Sequence, residues 1–285
     1  MSRGALAPLA PLAPIALAVA TAPALAVGCS AETPGRAGAG ASASAPSSDD
    51  APPPTAASSP IPASTTQLLL VAVDGWDDVT VEISRHERAP GGAWTPVGEP
   101  WPAVVGAGGA AWGAGLHGAG PPPGRHGPTK AEGDGKSPAG VFALGAAYGY
   151  ADAPPAGARA PYTKVGPTWR CIDDGASAHY NRVLDTAGLP VDWSSAEQMR
   201  RGDDLYRWVI EVDHNPARAP GAGSCIFLHV WQGGGAGTAG CTAMARADIE
   251  ALMAWLDPAA RPVLVLLPAD QLAALRAPWG LPPAP

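Results

Sequence analysis

A mainly β domain with a few short helices is the fold class this sequence predicts, and three observations predict it. Glycine and proline number 36 and 34 among 285 residues, a density that disfavours long helices as the dominant architecture. From Gln67 onward, short apolar or alternating runs recur between Gly/Pro-rich turns, as strands do. The periodicity of a helix surfaces only in brief windows. Apolar residues make up 46% of the chain, a figure inflated by alanine, and the length suffices for one domain with a sizeable core.

The elements follow in order. Residues 1–29 carry one early positive charge, Arg3, then an uncharged Ala/Leu/Val stretch through Val27, an order that reads as a cleaved export signal. Pro8, Pro11, Pro14 and Pro23 interrupt the stretch and count against a membrane-spanning helix. Ala26-Val27-Gly28-Cys29 resembles a bacterial lipoprotein box with Ala at its first position. Lipidation at Cys29, as a membrane anchor, and ordinary cleavage nearby are both open. Residues 30–65 are rich in Ala, Ser, Pro, Gly and Thr, too poor in apolar area to offset ordering entropy, and are expected to be a disordered tether.

Strands are expected at Gln67 to Val73, through the alternating Val79, Val81 and Ile83, and at Ala103 to Val105. Further strands are expected at Val141 to Leu144, Tyr206 to His214, Ile226 to Val230 and Val263 to Leu267. Two helices are expected. One starts at the capping-box spacing Ser194-Ser195-Ala196-Glu197, and the other carries Ile249, Leu252, Met253 and Leu256 on one face before Pro258. A folded domain over 66–268 and a C-terminal tail over 269–285 complete the reading.

The formal net charge is −7 and no cluster of five or more Lys/Arg occurs, so nucleic acid is not an expected partner. No pair of cysteines has metal-ligand spacing, and neither metal nor cofactor is expected.

The most informative window is Ser224 to Met244. His229 ends an apolar strand, a loop follows, and Thr238-Ala239-Gly240-Cys241 closes it, with five glycines between His229 and Cys241. Alternation puts Cys225, Phe227 and His229 on one face and Ile226, Leu228 and Val230 on the other. The loop is long enough to fold back and bring Cys241 beside the imidazole, where a thiol could lose its proton near neutral pH. Gly240 permits close backbone approach, so that the amides near Cys241 could face a developing oxyanion. On spacing alone, a buried structural cysteine is the commoner case.

His229 through Thr238-Ala239-Gly240-Cys241 resembles the signature of the L,D-transpeptidases, the YkuD-like catalytic domain. Gly133-Asp134-Gly135-Lys136-Ser137-Pro138-Ala139-Gly140-Val141-Phe142 resembles the family's Gly-Asp-x-x-Thr-Pro-x-Gly-x-Phe segment. The sequence departs from the pattern at Ala243, where members often carry Arg or Asn, and at Ala239, where some carry a second His.

The resemblance implies a β-sandwich or barrel-like catalytic domain acting on peptidoglycan stem peptides without a cofactor. Cys241 would be the nucleophile, His229 the base, and Gly240 part of the catalytic turn. Thr238, Ala239, Trp231 and His214 are the substrate-side candidates. His214 enters because Trp208, Ile210, Val212 and His214 share a face and their strand could pair with that of His229; a satisfied structural histidine is its alternative. Asp173-Asp174 and Tyr180-Asn181-Arg182 could also meet a polar substrate. With Cys241 free and Cys29 lipidated or lost, Cys171 and Cys225 remain to form a disulfide in an oxidising compartment, or to stay as buried thiols.

A monomer, exported to the periplasm or cell envelope, is expected. L,D-transpeptidation is the first expectation, and L,D-carboxypeptidase or peptidoglycan–protein hydrolase activity at the same site its alternative. A non-catalytic wall-binding lipoprotein is a third reading, which the retention of both Cys and His disfavours.

Overall fold

The computed structural model describes residues 59–283; the expected export signal, Cys29 and most of the expected tether lie outside them. Eight strands form the frame: β1 (Gln67–Val73), β2 (Thr80–Glu87), β3 (Trp101–Val104), β4 (Ser137–Gly149), β5 (Val209–Val212), β6 (Phe227–Val230), β7 (Thr242–Met244) and β8 (Val263–Pro268). Neighbours run β1-β8-β4-β5-β6-β7-β3-β2, and β2 pairs back onto β1. The sheet therefore closes on itself, barrel-like, which leaves these strands without a bare edge. The pairs β1–β8 and β6–β7 are parallel and the remaining six are antiparallel.

The apolar runs explain the closure. All six residues of β8 are buried, and so are six of the seven in β1, so neither strand can face water on either side. The main core takes Leu68, Val71, Val141, Phe142, Ile210, Leu228, Leu264 and Leu266 among others. A second, smaller cluster contains Val165, Cys171, Met199, Tyr206, Val209, Cys225, Phe227 and Cys241. Strand β6 divides the two as its alternation predicts: Leu228 and Val230 enter the main core and Phe227 the second cluster. The second cluster underlies a lobe whose three-stranded sheet pairs Trp169–Cys171 with Val183–Asp185 on one side and Glu197–Gln198 on the other.

Helix α1 (Arg246–Trp255) buries Ile249, Leu252 and Met253, and Leu256 caps it. The helix expected from the Ser194–Glu197 spacing does not form. Ser194 instead donates from both its amide and its hydroxyl to Asp174 Oδ2, each at 2.7 Å, and Glu197 lies opposite Cys171 in the lobe sheet. The serine is thus an anchor for a turn across the lobe, and the glutamate that would close a capping box points into the cavity described below.

The packed region extends past both expected boundaries. Ile61 and Thr65 are buried, and residues 269–279 form helix α2 (Ala269–Trp279), which buries Leu272, Leu275 and Trp279. Trp94 Nε1 donates to the Gly280 carbonyl at 2.9 Å and Ser59 Oγ to the Trp279 carbonyl at 2.6 Å. No helix among the described residues is long and apolar enough to cross a membrane.

Because Trp279 sits in the core with 4% of its surface exposed, Trp279→Ala is expected to cost about 3–5 kcal/mol in urea unfolding, as large-to-small core substitutions do. A loosely attached C-terminal segment would leave the transition unchanged.

Candidate active site

The Gly-rich connection between β6 and β7 brings the conspicuous residues of the sequence together. Strands β6 and β7 are parallel with Leu228 opposite Thr242, so the chain must leave β6 at Val230 and return to its starting end. Cys241 thereby arrives just before β7, next to Phe227, whose amide donates to the Cys241 sulfur at 3.3 Å. His229 lies two residues further along the same face of β6. Both side chains line a cavity of about 500 Å³, together with Lys130, Glu132, Asp173, Glu197, Arg201, Tyr206, Trp231, Thr238, Ala239 and Gly240.

The loop is held by hydroxyls. Thr238 Oγ1 accepts from the Gly240 amide at 3.0 Å and donates to the Cys241 carbonyl at 2.6 Å, so this side chain lines the cavity and at the same time shapes the turn. Gly240 has φ +148°, a value that favours glycine. Ser137 comes from the other motif. It is fully buried, accepts from the Gly106 amide at 2.9 Å, and places its one proton between the carbonyls of Gly240 and Cys241, each at 2.8 Å. The two motifs, a hundred residues apart in sequence, meet at this hydroxyl.

Cys225 braces Cys241. It is disulfide-bonded to Cys171, with S–S 2.05 Å and Cα–Cα 5.9 Å, while Cys241 is a buried free thiol. Cys225 holds φ +56°, an uncommon conformation for a residue with a Cβ. The Asn181 side chain secures it by accepting the Cys225 amide at 3.0 Å. Its carbonyl then lies 3.5 Å from the Cys241 sulfur as acceptor of the thiol proton.

The imidazole of His229 is also fixed. Nδ1 lies 2.8 Å from the Val230 carbonyl; a carbonyl only accepts, so Nδ1 carries the proton and Nε2 keeps its lone pair. The ring packs edge-to-face against Tyr206 at 5.1 Å. Burial pushes the His229 pKa down to about 4. Burial, followed by the negative charge of Glu197, pushes the Cys241 thiol up to about 12. Each desolvated group favours its neutral form. Proximity to the imidazole therefore does not make the thiol ionise near neutral pH in the free protein: thiol and imidazole both stand uncharged, and the sulfur's partners at Phe227 and Cys225 do not include His229.

The other candidates are placed as follows. Ala239 and Trp231 line the cavity, and Ala243 forms part of its wall, so the family positions lacking long side chains leave open volume. His214 does not line it. Its Nδ1 accepts from the Ala114 amide at 3.3 Å and its Nε2 lies 3.0 Å from the Ala222 carbonyl, which satisfies both nitrogens and fits a structural role. Asp173 lines the cavity, whereas Asp174 binds Ser194 and Ala176. Tyr180 donates to Glu132 and Asn181 braces Cys225.

Glu197, Tyr206 and Arg201 are the cavity residues that sequence reasoning missed. Glu197 falls within a helix signal and Tyr206 within a strand-like run, and no local pattern links either to Cys241. Among the described residues no group of three or more His, Cys, Asp or Glu is arranged to hold a metal ion.

The closed, mainly β sheet thus carries, where two separated motifs meet, one cavity lined by both Cys241 and His229. The family model for YkuD, the L,D-transpeptidase catalytic domain, matches residues 96–265, and the chain belongs to this family, whose enzymes act on peptidoglycan. No curated protein and no solved structure matches the chain.

Ser137→Ala leaves the buried Gly106 amide and the turn carbonyls short of a partner, and is expected to cost about 1–3 kcal/mol. It should also lower the reactivity of Cys241 by loosening the turn. Thermal unfolding and thiol alkylation of the variant check the two effects separately.

Proposed function

We propose that the chain is an L,D-transpeptidase that works through a thioester on Cys241. The observation that carries the reading is the pairing, in one cavity, of a free thiol on a braced turn with a histidine whose tautomer leaves Nε2 as a base. The donor is a stem tetrapeptide ending in D-Ala. As its carbonyl approaches the sulfur, Nε2 of His229 takes the thiol proton while the C–S bond forms. Transfer coupled to attack suits two groups that are both neutral at rest. Backbone amides around Ala239 to Cys241 receive the oxyanion.

His229 then returns the proton to the departing amine of D-Ala and leaves the thioester. The amine of a second stem peptide attacks that thioester, gives up a proton to His229, and expels the thiol as a new amide forms. Water in place of the amine would give the trimmed peptide. These steps require neither metal nor cofactor. In the same reading the substrate side of the cavity is lined by Trp231 and Ala239, and the chain works as a monomer. It operates outside the cytoplasmic membrane, exported by residues 1–29 and, where Cys29 is lipidated, tethered there through 30–65. The oxidised Cys171–Cys225 pair suits such a compartment.

Incubation with a disaccharide-tetrapeptide, followed by mass spectrometry of enzyme and products, tests the proposal. The expected result is an acyl adduct on Cys241 and a peptide dimer. Cys241→Ala should abolish both, and His229→Ala should slow acylation about 10²–10⁴-fold, the usual contribution of a positioned base. An adduct that persists in Cys241→Ala would overturn the assignment. Release of D-Ala without dimer, under excess acceptor, would mark a carboxypeptidase.

A further inference from the structure

Beside the Cys–His pair the cavity holds a second hydrogen-bonded pair that the acyl-transfer steps do not use. The Tyr206 hydroxyl donates to Glu197 Oε1 at 2.5 Å, and Tyr206 lines the same cavity and shares the same buried cluster as Cys241. Tyr206 is 3% exposed and packs edge-to-face on both Phe227 and His229, so its hydroxyl has little freedom to find another partner. Glu197 belongs to the lobe and Cys241 to the frame, and Tyr206 stands in the cavity that both line.

A phenol has a single proton: here the carboxylate of Glu197 holds it, and the sulfur in the same cavity is the other acceptor to which it could turn. We propose that Glu197, as a positioning residue acting through Tyr206, switches the nucleophile by deciding which way that proton points. With Glu197 protonated, its carboxyl proton goes to the tyrosine oxygen and the tyrosine proton turns to the sulfur, where it supports the thiolate. With Glu197 ionised, the tyrosine proton is held by the carboxylate. A thiolate would then face a phenol lone pair and, behind it, a negative charge. No atom is gained or lost beyond the one proton on Glu197.

The charges around the pair set where the switch operates. Burial raises the Glu197 pKa above the ordinary carboxylate range and the nearby Asp173 adds to this, while the Tyr206 hydrogen bond and Arg201 oppose it. Arg201 is itself bound to Asp203. On the facing wall, Lys130 is paired with Asp134, and Glu132 accepts from Tyr180 and Ser224. His229 is held neutral by burial. Glu197 is thus the carboxyl in direct contact with the tyrosine, and its titration is coupled to that of Cys241.

The inference rests on Cys241 being the reactive thiol, yet it is read without any peptidoglycan substrate. The full chain, unreduced, is alkylated with iodoacetamide from about pH 4 to pH 9, spanning the carboxylate range and above. Modification at Cys241 is followed by peptide mass spectrometry. For an uncoupled thiol the rate rises tenfold per pH unit. In the wild type the rise is expected to flatten once Glu197 ionises, since each gain in thiolate is then offset by loss of the protonated carboxyl.

Glu197→Gln removes the ionisation. Its rate should match wild type at the acid end and exceed it increasingly on the flattened stretch, by about tenfold for one pKa unit of coupling. Tyr206→Phe should slow the acid limb and leave the alkaline limb nearly unchanged. A purely structural role would slow both limbs alike. A wild-type profile with an unbroken tenfold rise per unit overturns the proposal, with no variant needed. So does a Glu197→Gln profile parallel to wild type. A chain that forms no acyl adduct but shows the flattened profile would refute the proposed reaction and leave the switch standing.

Discussion

The site depends on the buried Ser137 hydroxyl. Its proton lies between the carbonyls of Gly240 and Cys241 while its oxygen accepts the Gly106 amide, so one side chain joins the start of β4, the turn after β3 and the turn that carries Cys241. Removing the hydroxyl would leave the Gly106 amide and the Gly240 carbonyl unpaired and the Cys241 carbonyl with the Thr238 hydroxyl alone. The close fit leaves no room for variation nearby: a Cβ on Gly106 would stand 2.2 Å from the Gly135 carbonyl. This gives the resemblance of the Gly133–Phe142 segment a physical content. The segment clamps the turn that carries Cys241.

Burial accounts for the resting chemistry. Strand β6 has the main core on one side and the second cluster on the other, so His229 and Cys241 are both withdrawn from water, and desolvation favours neutral forms of each. A thiol kept neutral is shielded from adventitious oxidation and alkylation, which follow thiolate character. In the proposed reaction, activation then comes from proton transfer coupled to attack. The lobe bears on this balance because it supplies Glu197, Arg201 and Tyr206 to the cavity and is tied to the approach of β6 by the Cys171–Cys225 bond.

Most of the fold was legible where one principle dominated. Strands β1 and β8 are buried on both faces and read as continuous apolar runs; α1 shows its face in Ile249, Leu252 and Met253. Legibility failed where two signals competed. Ser194 and Glu197 have capping-box spacing, but Asp174 captures the serine and Tyr206 the glutamate, two partners from elsewhere in the lobe. The 269–285 segment opens after Pro268 and contains Pro278, and its helix is secured by Leu272, Leu275 and Trp279 packing on the frame, a contact that local composition does not announce.

By itself the sequence determined the β-rich class, the order of the two motifs, and the presence of a histidine and a cysteine on elements able to meet, because strand alternation and glycine freedom are local properties of the chain. The tertiary structure alone decided the protonation of that pair, the settled position of His214 between two backbone groups, and the arrival of Glu197 and Tyr206 in the cavity that Cys241 lines. Desolvation and hydrogen-bond competition depend on every neighbour in space, and those neighbours come from segments far apart in sequence.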